Sequence, residues 1–228
     1  MNNQNLLNDV RNLGKLKFRF NPKEIKFREC LSQVFSENDL SSIHLSQDCN
    51  FGILTIETDQ GTHLHKKFYE KIWETNFFDL YLEFLKEEIF PRFDEDVLYQ
   101  KIPTFRIQVP NNLGVASFHK DKDYSHGEDE INIFLPLTDA IGNNTIWVES
   151  KEDLGDYSPM DALYGEYYIW NGANLSHGNQ INNTGKTRIS IDFRVLPLSK
   201  YNEDIVKETI TMGTKIKLGE YFDIFKKQ

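Results

Sequence analysis

The sequence has little cysteine, no net positive charge and no long apolar run, and each shortage excludes a class of protein. Its 228 residues include only Cys30 and Cys49, which are too few for a disulfide framework and lack the paired spacing of a structural zinc site. The net charge of −9 disfavours binding to nucleic-acid phosphates or to an anionic membrane surface. No stretch approaches the roughly 18 apolar residues of a membrane span, and the N-terminus does not read as a secretory leader. We therefore expect a cytoplasmic protein that binds neither nucleic acid nor membrane.

Internal repeats, low-complexity tracts and linkers rich in proline or serine are also missing, so composition marks no domain boundary. We expect a single domain over residues 1–228. Residues 1–100 are predicted to be mainly helical support with an early strand, and residues 104–197 to form the core that carries the chemistry. Residues 198–228 are predicted to be a C-terminal extension that packs on the body or on a second subunit.

The first half of the chain contains a helical pattern. Between Thr62 and Phe90 the apolar residues recur mostly at three- and four-residue steps, and Pro91 closes the run. This spacing predicts one or two amphipathic helices.

From Thr104 onward, short apolar runs bounded by turn residues predict strands. These runs are TFRIQV, INIFLPL, NTIWVE, EYYIW and TRISIDFRVLP, with FGILTIET and KIKLGEYFDIF as two further candidates. The intervals are too short for helical crossovers, so the sheet should be antiparallel. The predicted fold class is α+β: a double-stranded β-helix, that is, a jelly-roll or cupin-like antiparallel sandwich with supporting helices from the N-terminal half.

Two short segments carry the residue types of a metal site. Phe118-His119-Lys120-Asp121 follows one predicted strand, and Asn174-Leu175-Ser176-His177-Gly178 follows another. Two histidines and one aspartate form a facial triad, which binds Fe(II) and leaves the opposite face of the ion open. His119 and Asp121 are two residues apart, so both side chains project to the same side of an extended segment. The predicted metal ligands are His119, Asp121 and His177.

The neighbouring loop KDKDYSHGEDE offers a competing pair of ligands, Asp123 and His126, with Glu128 beside them. No second strand supplies a further ligand at their level, and acidic loops are usually solvated. We expect these side chains to form the rim of the pocket.

A third motif, Arg188-Ile189-Ser190, begins eleven residues after His177. With it, the region from Thr104 to Pro197 resembles the Fe(II)/2-oxoglutarate-dependent dioxygenases. The resemblance is closest to the phytanoyl-CoA-hydroxylase-like branch and to oxygenases of carbohydrate and antibiotic-sugar clusters. It implies that His119, Asp121 and His177 bind iron and that Arg188 binds the distal carboxylate of 2-oxoglutarate with help from Ser190. A planar guanidinium that stays charged suits this task. The presence of Asp121 favours oxygenation over halogenation.

Further polar residues are expected to face the same interior. Asn132 occupies the polar slot of INIFLPL, where it either binds the cosubstrate carboxylate or serves as a structural amide. Asp192 and Arg194 share the inward side of their strand with Ser190, and Arg106 is a candidate partner for Asp192. Whether these charges form a buried ion pair or contact substrate stays open.

The resemblance implies an enzyme with Fe(II), 2-oxoglutarate and O2, and no catalytic residue beyond the metal ligands. It would hydroxylate a small molecule or carry out a related C–H oxidation. The polar residues around the predicted site favour a polar, sugar-like substrate, for which no binding residue is assigned. The alternative is a cupin-type metal-dependent sugar isomerase or sugar-binding protein. Arg188 discriminates between them, because a cupin has no use for a buried guanidinium there. The oligomeric state is left open.

Overall fold

The strands of the second half build the frame of the molecule. The computed structural model describes residues 6–49, 52–55, 58–114, 117–204, 207–209 and 213–227. Within these residues the strands are β1 (Lys15–Arg19), β2 (Val97–Gln100), β3 (Thr104–Gln108), β4 (Ile131–Pro136), β5 (Trp147–Val148), β6 (Ser158–Pro159), β7 (Glu166–Trp170), β8 (His177–Gly178), β9 (Arg188–Pro197) and β10 (Phe222–Phe225). Each of the five runs predicted after residue 104 contains one of these strands.

The strands form two antiparallel sheets. The larger sheet has the order β1-β7-β4-β9-β2-β10, with β3 also paired to β9, and the smaller sheet has the order β6-β5-β8. A cluster of buried side chains from both sheets, including Phe134, Val148, Met160 and Trp170, packs together. The predicted antiparallel jelly-roll sandwich with supporting helices is confirmed.

The two faces of β9 have different neighbours because alternate residues of a strand point to opposite sides. One face is apolar and joins the helices in the main core; it consists of Ile189, Ile191, Phe193 and Val195. The other face is polar and turns toward the smaller sheet; it consists of Arg188, Ser190, Asp192 and Arg194. The strand therefore separates a hydrophobic core from a polar interior.

The helices cover the apolar face of the larger sheet. They are α1 (Leu6–Leu13), α2 (Phe27–Phe35), α3 (Ile43–Ser46), α4 (His63–Lys71) and α5 (Phe77–Phe84). The Thr62 hydroxyl caps α4 by accepting from the His65 N–H. After α5 the helix continues as a π-turn over Leu85–Ile89, and Pro91 lies in the short 3₁₀ turn that ends it. The helical pattern predicted between residues 62 and 90 is confirmed.

The early strand lies elsewhere than predicted. Residues 52–55 of the candidate FGILTIET form no strand, residue 58 is in a turn, and residues 51, 56 and 57 lie outside the described residues. The first strand is instead β1, whose side chains alternate between partly buried and exposed and which pairs with β7. The exposed charges of Lys17 and Arg19 hide the alternation of apolar and polar residues that would indicate strand β1. The mainly aliphatic sequence at residues 53–56, in contrast, resembles a strand.

The C-terminal segment packs on the body of the same chain. In KIKLGEYFDIF only Phe222–Phe225 forms a strand, β10, which pairs with β2 at the edge of the larger sheet. Tyr221 and Phe222 are buried against Leu98 and Leu196. In the part of the chain that the structure describes, no helix combines the length and apolarity that a bilayer span requires.

Candidate metal centre

His119, Asp121 and His177 meet between the two sheets. His177 lies on β8, and His119 pairs with it through two main-chain hydrogen bonds, each of 2.9 Å. Asp121 opens a 3₁₀ turn, and its N–H donates to the Gly172 carbonyl over 3.1 Å. One ligand atom from each of the three side chains lies within 4.8 Å of the others, which makes this the one such group among the described residues.

Both histidines are oriented with the same ring nitrogen toward this group. The Nδ1 atoms of His119 and His177 each lie 2.9 Å from a main-chain carbonyl, that of Ser117 and of Leu175 respectively. A carbonyl oxygen only accepts, so Nδ1 of each ring carries a proton, and Nε2 is the nitrogen on the side of Asp121. Each Nε2 lies 3.5 Å from Asp121 Oδ1. Hydrogen bonding of this kind fixes the tautomer that binds a metal ion.

The two oxygens of Asp121 have different roles. Oδ2 accepts hydrogen bonds from Arg194 Nε at 3.0 Å, Arg194 Nη2 at 2.6 Å and Asn132 Nδ2 at 2.6 Å. Burial alone would raise the pKa of Asp121, but the Arg194 guanidinium beside it lowers that pKa well below its ordinary value. The carboxylate is therefore ionised, and Oδ1 is the oxygen left to face an ion.

Asn132 contacts Asp121 and lines a small cavity together with Arg188. Its side-chain oxygen is buried without a hydrogen-bond partner. Gly172 permits this arrangement, because a Cβ at that position would lie 2.7 Å from the Asn132 amide carbon. The amide nitrogen of Asn132 therefore donates a hydrogen bond to Asp121, and the amide oxygen can accept one from a bound molecule.

Arg188 is buried beside this group without a matching anion. It is 1% exposed, and its Nε and Nη1 atoms have no hydrogen-bond partner, as is also true of Ser190 Oγ. Burial lowers the pKa of Arg188 to about 10, although the negative charge of Asp192 acts to raise it. Gly114 leaves room for the guanidinium, since a Cβ there would lie 2.5 Å from Nη2. A buried cation with two unpaired donors fits an anionic ligand such as a carboxylate.

Two adjoining cavities reach the group formed by His119, Asp121 and His177. The small one, of about 40 Å³, is lined by all three predicted ligands and by Arg188. The large one, of about 410 Å³, is lined by His119, Asp121 and Arg194 and extends toward α4 and the C-terminal segment. Its size lies in the range of small-molecule sites, about 300–1,000 Å³.

Sequence reasoning missed the part that Arg194 and the C-terminal segment take in this centre. Besides binding Asp121, Arg194 donates through Nη1 to the Tyr221 hydroxyl over 3.1 Å, and that hydroxyl donates to Gln100 Oε1 over 2.8 Å. The even spacing of Arg194 from Ser190 places it on the inward face, but no local pattern points to its partner. Tyr221 follows the predicted core and carries no motif at all.

The competing ligands of the acidic loop take another arrangement. His126 is buried, and its Nδ1 lies 2.8 Å from Glu130 Oε2. His126 lines the large cavity, whereas Asp123 and Glu128 line neither of the two cavities, so the expected rim includes only one of the three residues. Neither Asp123 nor His126 belongs to a metal-binding group within the described residues. Arg106, in turn, contacts Asp192 as expected, with Nε 3.4 Å from Oδ1.

Known proteins resemble this chain both in sequence and in structure. No family model matches the chain. The streptomycin biosynthesis protein StrG from Streptomyces griseus is 36% identical over 209 residues, which are 91% of this chain and 96% of StrG.

Two solved structures illustrate the likeness in fold. The non-heme alpha-ketoglutarate-dependent carbocyclase SnoK from nogalamycin biosynthesis matches with a TM-score of 0.56 at 13% identity, over 96% of this chain and 95% of SnoK. CytC3 with Fe(II) and alpha-ketoglutarate matches with a TM-score of 0.51 at 13% identity, over 86% of this chain and 79% of CytC3. The fold predicted from the sequence is therefore the fold of these enzymes.

Proposed function

We propose that this chain, which belongs to the family of StrG, is a non-haem Fe(II)/2-oxoglutarate-dependent oxygenase that hydroxylates a polar small molecule. Hydroxylation, or a related C–H oxidation, would be coupled to oxidative decarboxylation of 2-oxoglutarate. The observation that carries the proposal is Arg188, a buried guanidinium with two unpaired nitrogens, beside a His–Asp–His group.

His119, Asp121 and His177 would hold Fe(II). Their donor set, two neutral imidazoles and one carboxylate, fits a facial triad. When bound, Fe(II) with 2-oxoglutarate supplies the oxidising chemistry, with O2 consumed and succinate and CO2 released. Because Arg194 and Asn132 occupy Asp121 Oδ2, the carboxylate offers a single oxygen to the ion. Three single-atom ligands leave the other coordination positions of the ion to small molecules.

Arg188 and Ser190 would bind the distal carboxylate of 2-oxoglutarate. The Arg188 Nε and Nη1 donors and the Ser190 hydroxyl are the groups that this carboxylate would satisfy. Asn132 supports the site from the other side: its nitrogen positions Asp121, and its oxygen would accept from a bound molecule. Arg194 acts as a positioning residue because it holds the orientation of Asp121.

The substrate is a polar small molecule, and we favour a sugar-like metabolite. The large cavity beside the triad is lined by many polar side chains, among them Gln60, Gln100 and Thr104. The biosynthetic role in the name of StrG is consistent with such a metabolite. A cupin-type isomerase or binding protein, by contrast, leaves the buried Arg188 without a partner, which costs free energy for no function.

Anaerobic titration of the Fe(II)-loaded protein with 2-oxoglutarate tests the proposal. Chelation of the iron by the keto acid produces a weak visible charge-transfer band, which we expect in the parent protein. The variant His119→Ala should give no band because it does not retain iron. The variant Arg188→Met should keep iron but require a much higher 2-oxoglutarate concentration. A parent protein that binds stoichiometric Fe(II) and gives no band would overturn the proposal.

A further inference from the structure

A second buried charge cluster lines the large cavity on the side of α4. Arg106 lies between two carboxylates, with Nη1 2.7 Å from Asp59 Oδ2 and Nε 3.4 Å from Asp192 Oδ1. All three side chains are mostly buried. A single guanidinium therefore forms ion pairs with two carboxylates.

The remaining cation near this cluster is Arg188, whose charge also acts on Asp192. In the proposed function that charge is matched by the distal carboxylate of 2-oxoglutarate. The nearby Arg194 is likewise matched, by Asp121 at 2.6 Å and Glu130 at 3.8 Å. With cosubstrate bound, the cluster of Asp59, Arg106 and Asp192 keeps one excess negative charge.

Asp59 also has an oxygen without a partner. The residue is 7% exposed and lines the large cavity, and its Oδ1 atom is buried with no hydrogen-bond donor. Burial raises the pKa of Asp59, and the Arg106 guanidinium opposes the rise. A buried carboxylate oxygen without a donor is costly, and a ligand that brings a charged donor removes that cost.

The same cavity carries a flat apolar surface. Trp73 is 59% exposed and stacks on Phe78 with ring centroids 4.3 Å apart, so its indole is held in place. A rigid aromatic face with little conformational freedom is well suited to contact the C–H face of a saturated ring. Asp59 and Trp73 thus offer one anionic group and one apolar platform in a single cavity.

We propose that Asp59 is a specificity-determining residue that binds a protonated amine, and that the substrate is an amine-bearing, hydroxylated saturated ring stacked on Trp73. The inference rests on the proposed function, because it assumes that 2-oxoglutarate takes the charge of Arg188. It specifies that the polar substrate carries a positively charged amine.

Matched ring compounds test the inference with the Fe(II)- and 2-oxoglutarate-loaded enzyme. The probes are pairs of amino sugars and aminocyclitols with their N-acetylated counterparts, which keep the ring and lose the charge. Binding is followed by the shift of the charge-transfer band, and turnover by succinate release. We expect the amines to bind better than their N-acetyl partners, and Asp59→Asn to reduce that preference by about tenfold to a hundredfold.

Glu220→Gln is the matched control. Glu220 lines the same cavity but is about half exposed and pairs with Lys217 at 2.8 Å, so its variant should keep the amine preference. Thermal unfolding of Asp59→Asn with and without 2-oxoglutarate verifies that the variant is folded and still binds cosubstrate.

Three results would overturn the inference: no amine binds, amines and N-acetyl compounds bind equally, or Asp59→Asn keeps the preference. All three results presuppose that the charge-transfer band with 2-oxoglutarate is observed. If that band were absent, the proposed function itself would be overturned.

Discussion

Replacing Arg188 by methionine should stabilise the cofactor-free protein while abolishing tight binding of 2-oxoglutarate. Burial lowers the pKa of Arg188 from its ordinary value to about 10. At about 1.4 kcal/mol per pH unit, this corresponds to about 3 kcal/mol of destabilisation. The effect is destabilising because the pKa is lower in the folded state than in the unfolded state. Such a basic group lowers the free energy of unfolding at any pH where it is protonated in both states, and pH 7 is such a pH. Incomplete filling of the guanidinium site by methionine costs about 1 kcal/mol. The expected net gain is about 1–3 kcal/mol.

Urea unfolding at pH 7 in the presence of a chelator measures this gain. The matched control is Arg106→Met, since Arg106 is also buried but has two carboxylate partners. Removing it leaves Asp59 and Asp192 without their cation and should destabilise by about 3–5 kcal/mol. With metal present, 2-oxoglutarate at about 100 times its Kd should stabilise the parent by about 2.7 kcal/mol and leave Arg188→Met unchanged. A cofactor-free Arg188→Met variant less stable than the parent would refute the reasoning.

Three further predictions concern the proposed metal ligands, the residue that supports them and the edge of the larger sheet. The variant His177→Ala should lose bound Fe(II) on dialysis, since two ligands remain; iron retained at one ion per chain would contradict the assignment. Asn132→Leu removes one donor to Asp121 and should lower Fe(II) affinity by about 10–100-fold; a titration that gives the parent affinity would show that the bond is dispensable. Hydrogen bonds from Lys17 and neighbouring donors lower the pKa of Glu166 from 4.5 to about 2. Its stabilising contribution is therefore present above pH 4.5 and lost as the pH falls toward 2. Glu166→Gln should flatten acid unfolding in that window, and parallel curves for parent and variant would argue against it.

The parts of the fold that the sequence predicts well are those where side-chain alternation is strong. The runs at residues 131–137 and 187–197 are bounded by turn residues, and their inward and outward positions follow from counting by two. The same counting puts Arg188, Ser190, Asp192 and Arg194 on one face. The early strand was predicted wrongly because β1 has charged exposed positions and gains its stability from pairing with β7, which is a long-range effect.

The His–Asp–His group was accessible to sequence reasoning because its residue types and spacing are distinctive, whereas the residues that support it were not. The bond from Asn132 to Asp121 and the bond from Arg194 to the same oxygen join segments 11 and 73 residues apart. Pairings of that kind depend on sheet register, which a single sequence does not reveal. Asp59 precedes α4 by a few residues and has no motif, so its place in the large cavity emerges only from the folded chain.

Because β9 has one apolar and one polar face, a change in its number of residues would exchange the two faces. The composition of the strand alone does not suggest this sensitivity. Inserting or deleting one residue before Arg188 would turn Ile189 and Ile191 toward the His–Asp–His group and bring the guanidinium among the phenylalanines of the core. Such a change would damage folding and chemistry together, whereas a substitution on either face affects mainly one of them. Variants of this protein should therefore tolerate changes of length in the loops around β9, and β9 itself should keep a fixed number of residues.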